Sequence, residues 1–135
     1  MTFRIAPIAE GDNPLYWYDL NDYLSEADIP IRPDWSYHKY SEVVKTLGGL
    51  KYGRGMSVAT WSMTLTASQR YNLRLICPDL SAQVYIETPT NDLDIYGEII
   101  WIQASAVMNW PEGDENRQSD LTLDTEIVFT ELVEV

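Results

Sequence analysis

One cysteine, one histidine and nine basic residues are what this 135-residue chain has least of, and each scarcity narrows the field. Cys77 is alone, so no intrachain disulfide forms and a disulfide-stapled secreted domain is excluded. His38 and Cys77 stand far apart with no second ligand of their kind, which removes a structural zinc site. A Ser-His-acid triad has only His38 to draw on, and no Gly-x-Ser-x-Gly elbow accompanies it. No long apolar run is present, so neither a signal peptide nor a membrane-spanning helix is expected. The chain reads as non-enzymatic, with no catalytic, metal-binding or cofactor-binding residue to nominate.

Basic side chains are scarce against 21 acidic ones, and the formal net charge is −12. A surface of that sign repels nucleic acid and anionic lipid over roughly 8–10 Å. Wrapping DNA by phosphate neutralisation is not expected, whereas an acidic wall suits DNA that passes without being held. Asp114, Glu115, Asp120 and Asp124 crowd one loop, but their spacing matches no calcium loop and they read as a solvated surface. Gly48-Gly49-Leu50-Lys51-Tyr52-Gly53-Arg54-Gly55 lacks the Gly-Lys-Ser/Thr ending of a phosphate loop and has no helix behind it.

What the chain does have is strand patterning and rings. Five Trp and nine Tyr are many for this length, and such rings suit half-buried sheets and subunit contacts. Residues 1–35 differ in texture, with Pro7, Pro14, Pro30 and Pro33 breaking both helix and ladder. They read as an N-terminal arm with a short strand at 2–6 and one anchor, Tyr16-Trp17-Tyr18, which packs on this body or on a neighbour's. Residues 36–135 read as a β body, the whole forming a single domain.

Within the body, residues 37–46 are strand-like and Leu47-Gly48-Gly49-Leu50 is a turn. The stretch 51–65 returns, with Ala59, Trp61, Met63 and Leu65 on one face and Gly53 and Gly55 loosening its start. Thr66 and Gln69 have capping-box spacing, which predicts a helix at about 67–76 with Ala67, Tyr71 and Leu75 as its apolar face and Pro78 as its stop. Strands are expected at 81–88, with Val84 and Ile86 inward, and at 95–103, either central in a sheet or covered on both faces. Pro89-Thr90-Asn91-Asp92 is the expected turn between them, and 109–120 a polar loop. A final long strand spans 121–135, with Leu123, Ile127, Phe129, Val133 and Val135 sharing a face by even steps. This order predicts a mainly β chain, an antiparallel β-sandwich or barrel with one short helix against it.

The candidate subunit-contact residues are Tyr16, Trp17 and Tyr18 of the arm and Gly48, Gly49, Lys51, Tyr52 and Arg54 of the glycine-rich hairpin. Two cationic side chains at a hairpin tip on a negative protein suit an acidic patch on another copy.

The Trp-bearing strand Val58-Ala59-Thr60-Trp61-Ser62, the Leu-Thr-x-x-Gln start of the helix and its Cys77-Pro78 end lead into Ala82-Gln83-Val84-Tyr85-Ile86-Glu87-Thr88. An Ile-Trp strand, a Pro-Glu-Gly loop and a closing Phe129-x-x-Leu132-Val133-Glu134-Val135 follow. Over about residues 55–135 this resembles small structural proteins of tailed bacteriophages, the tail-tube and minor-tail group. The resemblance implies a virion protein made in the host cytoplasm that forms homo-oligomeric rings, hexamers among them. It also implies contacts with other virion proteins, no membrane, and an acidic channel through which DNA passes. Two alternatives stand beside it: another virion component, such as a capsid decoration or head–tail connector protein, and a carbohydrate-binding β-sandwich module.

Overall fold

In a computed structural model, the described residues are 2–7, 17–24, 31, 33–111, 116–118 and 121–135. They are mainly β, as the patterning predicts. The strands are β1 (Arg4–Pro7), β2 (Tyr18–Asp19), β3 (Asp34–His38), β4 (Glu42–Lys45), β5 (Lys51–Arg54), β6 (Ser57–Thr66), β7 (Ser81–Leu93), β8 (Ile99–Asn109), β9 (Asn116–Gln118) and β10 (Leu121–Glu134). The helices are α1 (Leu20–Tyr23), which the sequence pattern did not anticipate, and α2 (Ala67–Ile76).

One sheet runs in the order β2-β1-β7-β8-β10-β6-β3, with β9 added to β10, and every pairing in it is antiparallel. The sheet curls until its β3 edge lies beside β7, where the Asn91 amide donates to the Tyr37 carbonyl. Its two halves therefore face each other as a sandwich does. Inside sit Ile5, Ala59, Trp61, Leu65, Val84, Ile86, Ala104, Met108, Ile127 and Phe129, all essentially buried. Trp61 is the hub: its ring meets Phe129 at 4.6 Å and Phe3 at 5.2 Å, both edge-on. Alternation on β6 puts Ala59, Trp61, Met63 and Leu65 inward, as expected.

α2 begins at a capping box: Thr66 Oγ1 accepts from Gln69 N at 3.3 Å, and Gln69 Oε1 accepts from Thr66 N at 2.9 Å. Its buried face differs from the expected one. Gln69, Leu73 and Ile76 point inward, while Ala67, Tyr71 and Leu75 are exposed. The cause is a second role for Gln69, whose amide also donates to the Leu24 carbonyl at 2.7 Å, so a polar residue is drawn into the core. Tyr23 Oη donates to the Asn72 carbonyl at 2.8 Å, a second bond that ties the α1 segment to α2.

Three further expectations are corrected. Pro89-Thr90-Asn91-Asp92 is not the reversal: β7 continues through Pro89, bulges, and re-pairs at Leu93↔Ile99. The turn lies at residues 94–98, so Ile95 and Tyr96 leave the expected strand and stand exposed at its tip. β8 is central, between β7 and β10, as one of the two expectations had it, while Ile99 and Ile100 at its start are exposed and not covered. In β10, Glu131 adopts φ 55° at a bulge and shifts the alternation by one residue. Leu132 is buried in consequence, and Val133 and Val135 face out instead of continuing the Ile127–Phe129 face. The expected strand at 37–46 is likewise two strands, interrupted at residues 39–41.

Candidate interaction surface

Two hairpins project from the body, and sequence makes their tips alike. In β4–β5, Gly49 N donates to the Thr46 carbonyl at 3.0 Å, Thr46 N donates to the Leu50 carbonyl at 2.7 Å, and Gly49 takes φ 87°. In β7–β8, Gly97 N donates to the Asp94 carbonyl at 3.1 Å, Asp94 N donates to the Glu98 carbonyl at 2.8 Å, and Gly97 takes φ 79°. Both are three-residue loops ending on a left-handed glycine, a conformation that glycine adopts at no steric cost. Asp94 Oδ1 also accepts from Tyr96 N and Glu98 N, which fixes the second tip.

Both hairpins leave the same end of the body. β3 and β7 run in the same direction through the alternating sheet, and the Asn91–Tyr37 bond joins their ends. β4–β5 prolongs the β3–β6 pair beyond a break at residues 39–41 and 55–56, and forms its own two-stranded sheet. At the break, Ser57 Oγ donates to the Lys39 carbonyl and Ser41 Oγ to the Arg54 carbonyl. Gly55 takes φ 80° there, and the Tyr40 ring lies over Gly53, in space that any β-carbon would fill.

The exposed apolar side chains gather at this end. Among the described residues, thirteen of the seventeen exposed large apolar side chains lie here: Tyr40, Val43, Leu47, Leu50, Tyr52 and Met56 on or beside the first hairpin, Leu93, Ile95, Tyr96, Ile99 and Ile100 on the second, and Val133 and Val135 beside them. Leu47, Ile95 and Tyr96 are more than four-fifths exposed. The opposite, helical end carries Tyr71, Leu75 and Leu80.

Charge divides the two hairpins. All three lysines of the chain lie in the first or at its base, and residues 39–56 sum to +3 through Lys39, Lys45, Lys51, Arg54 and Glu42. The other residues of this −12 chain therefore sum to −15. Residues 92–100 of the second hairpin carry Asp92, Asp94 and Glu98 and no base, a sum of −3. Arg54 meets Glu42 at 3.6 Å. Lys45 and Lys51 sit directly opposite each other across the ladder, and among the described residues neither has an ion-pair partner. Like charges so placed destabilise a hairpin.

The sequence-nominated residues thus separate into two places. Gly48, Gly49, Lys51, Tyr52 and Arg54 come together on the first hairpin. Trp17 and Tyr18 lie on the body: Trp17 packs on Arg4, whose guanidinium carbon stands 5.5 Å from the ring centroid, and on Tyr85, while Tyr18 stacks on Tyr23 at 4.7 Å. Tyr16 lies outside the described residues. Sequence reasoning missed Lys45 and the entire 92–100 tip. The signal for the tip was Asp94 three residues before Gly97, a type I turn followed by a left-handed glycine.

The chain's one imidazole and one thiol do not converge. His38 is exposed at the projecting end of β3, whereas Cys77 is buried beside α2 with its thiol pushed up by burial. Arg74 works against that shift and Asp79 adds to it. Among the described residues no three His, Cys, Asp or Glu side chains group as metal ligands. Glu87 is fully buried and paired with Arg4, its register partner across β1 and β7, while its Oε1 has no partner among the described residues. The Glu87 interaction, larger than the opposing burial effect, pushes the Arg4 guanidinium above its already high value. This pair fastens β1 to the sheet. Among the described residues no helix is long and apolar enough to cross a membrane. No family model, curated protein or solved structure matches this chain.

Proposed function

We propose that this protein is a structural subunit that works by assembling with copies of itself. The observation that carries the reading is the gathering of exposed apolar side chains on and beside two projecting hairpins at one end of a closed β body. A two-stranded hairpin alone is marginal in water, and one bearing Val43, Leu47, Leu50 and Tyr52 outward gains stability from a partner. Within that class, the resemblance of residues 55–135 to phage tail proteins supports a ring- or tube-forming tail component. The −15 charge outside the first hairpin suits a wall past which DNA moves without binding, since repulsion opposes the contacts that hold phosphates. Other virion proteins are then its further partners.

Sedimentation and negative-stain imaging of the purified chain across a concentration series test this. Rings, tubes or discrete oligomers are expected. A monodisperse monomer throughout the series would overturn the reading. Binding to preformed capsids without self-association would point to a decoration protein instead.

A further inference from the structure

We propose that the β4–β5 hairpin of one copy docks on the β7–β8 tip of a second copy, lysines against carboxylates and apolar tip against apolar tip. The proposal rests on self-assembly and names the two surfaces that would make it.

Three observations carry it. The two elements have opposite and equal formal charge, +3 on residues 39–56 and −3 on residues 92–100. Each also presents bulky apolar side chains to solvent, Val43, Leu47 and Leu50 on one and Ile95, Tyr96 and Ile99 on the other. Apolar area supplies the attraction, while the charges set which surface meets which. Lastly, the Lys45–Lys51 pair is a repulsion built into the first hairpin, and an acidic partner placed between or beside the two ammonium groups removes it.

Within one copy no salt bridge joins the two hairpins among the described residues, although both leave the same end of the body. The complementary surfaces therefore stay available for exchange between copies. A copy offers one of each, so it gives its lysine hairpin to one neighbour's carboxylate tip and receives a lysine hairpin on its own. That arrangement is satisfied by a reciprocal pair or by a closed ring.

The test is a charge swap in the full chain. One variant carries Lys45→Glu and Lys51→Glu, which keeps a like-charge pair across the ladder and so preserves the hairpin's internal balance. The other carries Asp92→Lys and Glu98→Lys and leaves the turn-closing Asp94 intact. Circular dichroism and thermal melts confirm that each is folded. Each variant alone is expected to self-associate about 100-fold or more weakly than the parent. Mixing the two restores association, because every Glu-bearing hairpin then finds a Lys-bearing tip and every Lys-bearing hairpin an unaltered tip. If either variant alone assembles as the parent does, the pairing is wrong while self-assembly stands. If both fail alone and the mixture also fails, charge pairing between these surfaces is rejected. A parent chain that never associates overturns the pairing and the proposed function together.

Discussion

The indole N–H of Trp61 donates to Thr88 Oγ1 at 3.0 Å, joining β6 to β7 across the interior rather than along the sheet. These strands are separated by β10 and β8 in the strand order, so the bond exists only because the sheet curls back on itself. Both residues are buried. Thr88→Val is expected to leave the indole donor unpaired and cost about 1–3 kcal/mol, read as a lower urea midpoint with unchanged slope. Thr88→Ser keeps the acceptor and is expected to lose less.

Arg4 and Glu87 give a second test. Arg4→Ala strands a buried carboxylate and is expected to cost about 2–3 kcal/mol, below the figure for a fully buried pair because the Arg4 side chain is a third exposed. Replacing both residues by apolar ones of similar volume is expected to cost less than the single change. Equal or greater loss in the double variant, measured by the same denaturation series, would count against the burial argument.

At the β10 bulge, Glu131 holds a left-handed backbone that a side chain disfavours. Glu131→Gly removes about 1 kcal/mol of that strain and is expected to raise the melting temperature or leave it level. Gly97→Ala is the converse, placing a side chain at φ 79° and lowering stability by about 1–2 kcal/mol.

Burial pushes the Cys77 thiol above its ordinary value, so the folded chain keeps this proton longer than the unfolded one. The associated stability is full below about pH 8.5 and declines as pH rises toward the folded value. Urea midpoints measured between about pH 8 and 9.5 are expected to fall more steeply in the parent than in Cys77→Ala. The range stays below 10.0, where Tyr23, raised by burial and by Tyr18, adds its own decline.

Local grammar carried much of this fold into the sequence. The Thr66–Gln69 box, the β6 alternation and the Gly48-Gly49 turn are each set by neighbours within a few residues, and each was legible. The inward face of α2 was not, because Gln69 is buried for the sake of the Leu24 carbonyl 45 positions away. Nor was the flip at Glu131, since an extra residue in one strand has meaning only against its partners β6 and β8. Pro89 misled for a related reason: proline signals a turn by default, yet here it pairs with Trp101 inside a strand that bulges just beyond. The first candidate surface was half-visible as a cationic glycine-rich loop. Its counterpart stayed hidden because Ile95 and Tyr96 read as strand until Asp94 and Gly97 are seen to close a loop around them.

Because lysine occurs only at positions 39, 45 and 51, this one projection can be addressed chemically without engineering. A lysine-specific protease has its cleavage sites there alone, and acylation of side-chain amines is confined to the same three positions. Slowed cutting or acylation as protein concentration rises would report occupancy of that projection directly, residue by residue, in the unaltered molecule.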